Sequence, residues 1–249
     1  MAQLPKLELI ACFGVGVDAV DLPAAKARNI AVTNTPDVLT DDVADLAIGL
    51  MVATLRRIPQ ADRYVREGKW LKGTMPLHQK VSGRRLGIVG MGRIGQAIAR
   101  RAAAFDMAIA YNGPSKKNVP YRYEPDLVAL AREVDVLIAA CPGGAATKGI
   151  INRAVLDALG AKGTFVNIAR GSVVDEPALV EALKSGRLGA AGLDVFADEP
   201  NVPADLLPMD NVVLQPHQAS ATHETRAAMG QVVLDNVAAF FRERGWLRR

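Results

Sequence analysis

The sequence predicts an α/β protein organised around a doubly wound parallel sheet. Three observations carry this reading: the composition, the regular alternation of short apolar runs with helical patterns, and one glycine-rich turn set between a strand and a helix. The chain has 249 residues, 50% of them apolar and 22% charged, enough for one large or two modest domains with hydrophobic cores. Aromatic residues make up only 5%. Such a bias suits helices packed on buried strands better than a platform that stacks nucleic-acid bases.

Apolar runs of strand type recur at residues 7–13, 30–33, 86–90, 108–111, 134–140, 164–168, 190–195 and 212–215. Strands that alternate with helices require crossover connections and therefore a parallel sheet. The runs from residue 86 onward complete a nucleotide-binding sheet, whereas only two precede residue 80, so the first region reads as a partial domain. A cap signal at Thr40-Asp41-Asp42 opens a helix through Ala44, Leu46, Ala47, Leu50, Met51 and Leu55, and Pro59 marks its end or a restart. Residues 42–55 are nearly all apolar, too much for one face of a monomer's surface, which predicts a homodimer. Residues 68–82 read as the crossing into the second domain. A last helix over residues 222–244, with Ala227, Val232, Val233, Val237, Ala238 and Phe241 as its apolar positions, is expected to return to the first region. The expected division is therefore 1–76 with 220–249, and 77–219.

Composition also excludes. The longest apolar run, residues 47–55, is too short to span a bilayer, and the N-terminus lacks a signal-type pattern, so a cytoplasmic protein with no membrane partner is expected. The net charge is +4, with 30 basic residues interleaved among 26 acidic ones. No basic stripe offers itself to nucleic acid. The two cysteines, Cys12 and Cys141, lie far apart, and the three histidines, His78, His217 and His223, are not clustered with them. Neither a disulfide framework nor a metal site is predicted.

Residues 86–95 read Leu-Gly-Ile-Val-Gly-Met-Gly-Arg-Ile-Gly and flow directly into the helical run 96–105. Gly90 permits the tight turn, Gly92 lets backbone approach a pyrophosphate, Gly95 lets the helix pack close to its strand, and the helix N-terminus faces the anion. This is a Rossmann-type dinucleotide loop. An NAD-binding chain usually has an acid at the end of the next strand to hold the ribose. Here the sequence reads Tyr111-Asn112-Gly113-Pro114-Ser115-Lys116-Lys117. Asn112 does not repel a 2′-phosphate, and Ser115, Lys116 and Lys117 offer donors and positive charge, so NADP(H) is expected over NAD.

Three polar residues follow apolar strands: Arg170, Glu199 and His217. Ligands of open α/β sheets gather at the carboxyl ends of strands, so all three can converge on one site. With these residues the chain resembles the D-isomer-specific 2-hydroxyacid dehydrogenases, and among them the NADPH-using glyoxylate, hydroxypyruvate and hydroxyphenylpyruvate reductases. The resemblance rests on Phe13-Gly-Val-Gly-Val-Asp18, Thr33-Asn-Thr-Pro36, Lys80-Val-Ser-Gly83, the Gly90 to Gly95 loop, Ser115-Lys-Lys117, Ala140-Cys-Pro142, Asn167-Ile-Ala-Arg-Gly171, Gly192-Leu-Asp-Val-Phe196, Asp198-Glu-Pro200 and Pro216-His217.

The resemblance implies hydride transfer to a small 2-keto acid. His217 would protonate the keto oxygen, Glu199 would orient the imidazole and favour its protonated form, and Arg170 would grip the substrate carboxylate. Asp194 would hold the nicotinamide carboxamide, and Arg93, Ile94, Cys141, Pro142, Thr147, Ile168 and Ala169 would line the dinucleotide. The segment from residue 59 to 70 would embrace a partner subunit. Pro114 stands where relatives with this loop carry Arg. The chain starts at what resembles the end of the third unit of a flavodoxin-like substrate domain, so two or three strand–helix units and a substrate-binding glycine loop are expected to be missing. Two alternatives stay open on the sequence: a cofactor-binding remnant with little turnover, and a dinucleotide-sensing protein like the corepressors of this fold.

Overall fold

The computed structural model describes residue 1 and residues 3–243. In chain order its elements are β1 (Leu9–Ala11), α1 (Leu22–Ala27), β2 (Ala31–Thr33), α2 (Thr40–Arg56), α3 (Ile58–Arg66), β3 (Arg85–Val89), α4 (Arg93–Ala103), β4 (Ala108–Asn112), β5 (Arg122–Tyr123), α5 (Leu127–Glu133), β6 (Val136–Ala139), α6 (Arg153–Leu159), β7 (Thr164–Asn167), α7 (Glu176–Lys184), β8 (Ala190–Leu193), β9 (Val212–Leu214) and α8 (His223–Glu243). The chain forms two compact units, residues 1–42 with 220–249, and residues 43–219. The division falls inside α2. Residues 43–76, expected with the first region, pack with the second unit.

In the smaller unit β1 and β2 pair in parallel, Leu9 opposite Ala31 and Ala11 opposite Thr33. Asp21 caps α1 by accepting from the Ala24 N–H at 3.0 Å. Helix α8 packs against this sheet. The Arg226 guanidinium lies 5.5 Å from the centroid of the Phe13 ring, and Asn236 donates to the Asn34 carbonyl at 3.2 Å. The expected end of this helix at Arg244 lies outside the described residues.

The larger unit contains a seven-stranded sheet in the order β5-β4-β3-β6-β7-β8-β9, with every pair parallel. The order reverses between β3 and β6, the switch point at which such sheets bind ligands. Six of these strands coincide with the apolar runs of the sequence. The seventh, β5, has only Arg122 and Tyr123 and gives no apolar signal. Strands β6, β7 and β8 are buried throughout, as parallel strands covered on both faces must be. Leu137, Leu156, Phe165, Leu179 and Leu193 belong to the core on which helices close.

Helix α2 corrects one expectation. Its Val43, Ala44, Ala47, Ile48, Leu50, Met51 and Leu55 are buried within the chain. A side-chain carbon at Gly192 of β8 would stand 2.7 Å from Thr54 Oγ1 and 2.8 Å from Leu50 Cγ. The helix is apolar because it lies on β8, and its composition carries no argument for a second subunit. Arg57, at φ 49° and ψ 46°, breaks the helix, and Pro59 starts α3 in its first turn. Gln60 then ties α3 to β9 through a 3.0 Å bond to the Val212 carbonyl.

Candidate active site

The glycine turn sits at the switch point, between the end of β3 and the start of α4. Gly90 has φ +100°, and a Cβ there would meet the Cys141 backbone at 2.7 Å. A Cβ at Gly95 would lie 2.0 Å from the Gly90 carbonyl oxygen. Both positions therefore require glycine, one for turn and contact, the other for close helix packing. At Gly92 a Cβ would meet nothing within 4 Å. Open space in front of that backbone, with the first turn of α4 behind it, fits a pyrophosphate. Arg93 is exposed and Ile94 half-buried on this turn.

The neighbouring strand ends complete this half of the edge. Asn112 ends β4, but its amide nitrogen is committed to the Glu124 and Pro125 carbonyls at 2.9 and 3.0 Å. Ser115, Lys116 and Lys117 are exposed on the following loop. Cys141 follows β6 and is buried, which pushes its thiol up to about 11. Pro142 and Thr147 lie on the next loop, where the Thr147 hydroxyl donates to the Pro142 carbonyl at 2.7 Å. Ile168 and Ala169, beyond β7, are 7% and 6% exposed.

The other half is built on the ends of β7, β8 and β9, which are consecutive in the sheet. Arg170 stands three residues beyond β7. Its turn is shaped by Asn167, whose side chain accepts from the Ala169 N–H and donates to the Arg170 carbonyl, both at 3.0 Å. The Arg170 guanidinium donates to the Ala169 carbonyl at 2.7 Å. Gly171 brings this turn against the loop after β8, since a Cβ there would be 1.9 Å from the Phe196 carbonyl carbon. From that loop Glu199 reaches His217, with Oε2 and Nδ1 2.7 Å apart. Glu199 Oε1 accepts from the Phe196 N–H at 3.0 Å. The carboxylate is thus fixed at one oxygen and offered to the imidazole at the other. His217 and Glu199 side chains are 48% and 35% exposed, so the pair is open to an incoming molecule.

His217 has φ +53°, a conformation uncommon outside glycine. Asp194 holds it there. Its carbonyl accepts from the His217 N–H at 2.8 Å, and its carboxylate accepts from the Gln218 and Ala219 N–H groups at 2.7 and 3.1 Å. Asp194 is fully buried. Burial raises its carboxyl above the ordinary value of 3.8, while the two backbone bonds oppose the shift. Asn167 and the positioning contacts of Asp194 were not foreseen. The available signal was a polar residue ending an apolar strand at residues 164–167 and 190–194. Among the described residues no group of three or more His, Cys, Asp or Glu could hold a metal ion.

A seven-stranded parallel sheet with a glycine turn at its switch point, and with Arg, Glu and His on the same carboxyl edge, defines a dinucleotide-binding α/β protein. The chain belongs to the D-isomer specific 2-hydroxyacid dehydrogenase family, whose NAD binding domain matches residues 48–219. It is 56% identical over 239 residues to hydroxyphenylpyruvate reductase of Plectranthus scutellarioides, covering 96% of this chain and 76% of that protein. It is 53% identical over 242 residues to glyoxylate/hydroxypyruvate reductase A of Arabidopsis thaliana, covering 97% and 77%. Among solved structures, an NADPH-dependent glyoxylate/hydroxypyruvate reductase from Sinorhizobium meliloti, in complex with NADP and malonate, superposes with a TM-score of 0.93 at 52% identity. That match covers 95% of this chain and 75% of the other.

Proposed function

We propose that the chain reduces small 2-keto acids of the glyoxylate and hydroxypyruvate type to D-2-hydroxy acids, with NADPH preferred over NADH. The single observation that carries this reading is the 2.7 Å pairing of His217 Nδ1 with a Glu199 carboxylate that is itself anchored on backbone. A carboxylate on one ring nitrogen leaves the other to face the substrate as a proton donor. Bound NADPH supplies the hydride. His217 delivers the proton to the keto oxygen from Nε2, and Glu199 holds the ring by Nδ1 so that Nε2 faces the substrate. Arg170 meets the substrate carboxylate with a planar fork and polarises the adjacent carbonyl. Asp194 fixes the backbone of His217, and Asn167 fixes the turn of Arg170.

The turn from Gly90 to Gly95 would hold the pyrophosphate, with Arg93 and Ile94 beside it. Cys141, Pro142, Thr147, Ile168 and Ala169 would line the dinucleotide, and Asp194 would face the nicotinamide carboxamide. Asn112 would meet the adenosine ribose through its oxygen, since its nitrogen is engaged. Ser115 and Lys116, with Lys117, would receive the 2′-phosphate. Residues 43–219 act as the dinucleotide domain, and residues 1–42 with 220–249 belong to a flavodoxin-like substrate domain.

The working form is a homodimer. Its support lies on residues 58–77, where Ile58, Val65 and Trp70 are exposed and Leu71 and Leu77 reach 94% and 100% exposure. Apolar side chains lined up in water on one segment are the usual mark of an interface. The decisive experiment measures reduction of glyoxylate and hydroxypyruvate with each cofactor and the configuration of the product. NADPH-dependent turnover giving the D-acid, abolished in His217→Ala, supports the reading. Cofactor binding with no turnover of any 2-keto acid replaces it with a cofactor-binding remnant, or with a sensor where the dinucleotide also changes the protein's association.

A further inference from the structure

We infer that Tyr111 and Tyr123 are positioning residues for cofactor selection, their hydroxyls holding closed the loop 113–117 that presents Ser115, Lys116 and Lys117. The inference rests on the NADPH reading above. Residues 114–118 are exposed and belong to no helix or strand, so left alone they would sample many conformations. Two partly buried contacts prevent this. Tyr111 Oη accepts from the Lys117 N–H at 2.6 Å and lies 3.4 Å from the Lys117 carbonyl. Tyr123 Oη donates to the Gly113 carbonyl at 3.0 Å. One hydroxyl thus ties the last residue of the loop and the other ties the first.

The base of this clasp is rigid. Tyr111 is fully buried in β4, and its ring centroid lies 5.3 Å from that of Tyr123 at an interplanar angle of 43°. A third tie comes from Asn112, whose amide holds the Glu124 and Pro125 carbonyls and so keeps β5, the strand that carries Tyr123, beside β4. Buried tyrosines spend their hydroxyl on some partner. Here buried Tyr111 and half-buried Tyr123 spend it on the two ends of a single charged loop. The ordering entropy of the loop is then lost on folding and not on binding, which favours a ligand that needs all the loop's donors in register. Only the 2′-phosphate needs them.

The test uses the intact protein and four probes: 2′,5′-ADP, 5′-ADP, NADPH and NADH, titrated calorimetrically against the parent, Tyr111→Phe, Tyr123→Phe and the double variant. Phenylalanine keeps the rings and their packing. Each single variant is expected to weaken 2′,5′-ADP and NADPH about fivefold, the scale of one net hydrogen bond, and the pair more than tenfold, with 5′-ADP and NADH unchanged. Exchange of the Lys117 amide with solvent should quicken in Tyr111→Phe. Equal weakening of all four probes would mean that the tyrosines serve only the fold, and would overturn the inference. So would undiminished discrimination in the double variant of a parent that does discriminate. A parent that binds 2′,5′-ADP no better than 5′-ADP would instead remove the NADPH reading, and the clasp with it.

Discussion

Replacing Asp194 by Asn separates two roles for one carboxylate. In the structure Oδ1 and Oδ2 each accept a backbone N–H, from Gln218 at 2.7 Å and Ala219 at 3.1 Å. An amide has the same shape but only one acceptor. Its oxygen would keep the shorter bond, and its NH2 would then point at the Ala219 N–H, donor against donor. A buried donor left unpaired costs about 1–3 kcal/mol. Part of this is offset, because burial already penalises the Asp194 charge and the amide carries none. The net loss of stability is therefore expected to be about 1 kcal/mol. Catalysis should suffer more. The backbone bond from His217 N–H to the Asp194 carbonyl survives, but the residues after His217 are no longer held, and a misplacement of about 1 Å can cost roughly a hundredfold. We expect kcat for glyoxylate reduction to fall about tenfold to a hundredfold, with the NADPH dissociation constant within about threefold of the parent. Stopped-flow turnover and fluorescence titration of the cofactor read the two quantities separately. An unchanged kcat with NADPH weakened tenfold would refute the positioning argument and leave Asp194 as a nicotinamide contact only.

Four further outcomes are expected. His217→Ala should lower kcat/KM for keto acids by at least about a hundredfold without weakening NADPH, as measured by steady-state rates and titration. Arg170→Lys should raise KM for the keto acid far more than KM for NADPH, because a point charge does not replace the planar fork; equal efficiency with Lys would take Arg170 out of the site. On acidification the Gln218 and Ala219 amide resonances should titrate above pH 3.8 while the fold persists. Asp194 has its carboxyl raised by burial, so the native state binds that proton more tightly than the unfolded chain and this group's contribution to stability does not fall as pH drops through the window. Asp135, held low by the Arg85 guanidinium, gives stability that is complete above 3.8 and is lost only as pH drops through its lower folded value. Finally, amide exchange should be faster in β1 and β2, which are half-buried along their length, than in the fully covered β6 and β7.

Much of the fold was legible because buried parallel strands must be continuously apolar, and residues 86–90, 134–140 and 164–168 announce themselves in that way. β5 was not legible for the converse reason: two residues at the sheet edge, one of them Arg122, bury too little to leave a pattern. Helix α2 shows how a correct pattern can carry a wrong inference. Its apolar residues suggest a surface to be covered by a partner, yet Gly192 on β8 lacks the side chain that would keep the helix away. A glycine in a strand is easily passed over as neutral, although here it marks where another backbone approaches.

The candidate site divides along the same physical line. Arg170, Glu199 and His217 stand out in the sequence only jointly, because each alone past a buried strand is ordinary while three at the carboxyl ends of successive strands are not. The groups that hold them do not stand out. Asn167 and Asp194 act through backbone: each satisfies N–H groups that a sequence does not display, in the turns that carry Arg170 and His217. The left-handed backbone of His217 is the clearest instance. A histidine there is strained unless the bonds on either side dictate it, and they come from a single residue one strand away. In the proposed reaction the chemistry at this edge belongs to Arg170, Glu199 and His217, while its geometry is set by buried side chains that give their polar atoms to the main chain. On that reading, a substitution survey of Arg170, Glu199 and His217 alone would miss the buried Asn167 and Asp194 that hold them.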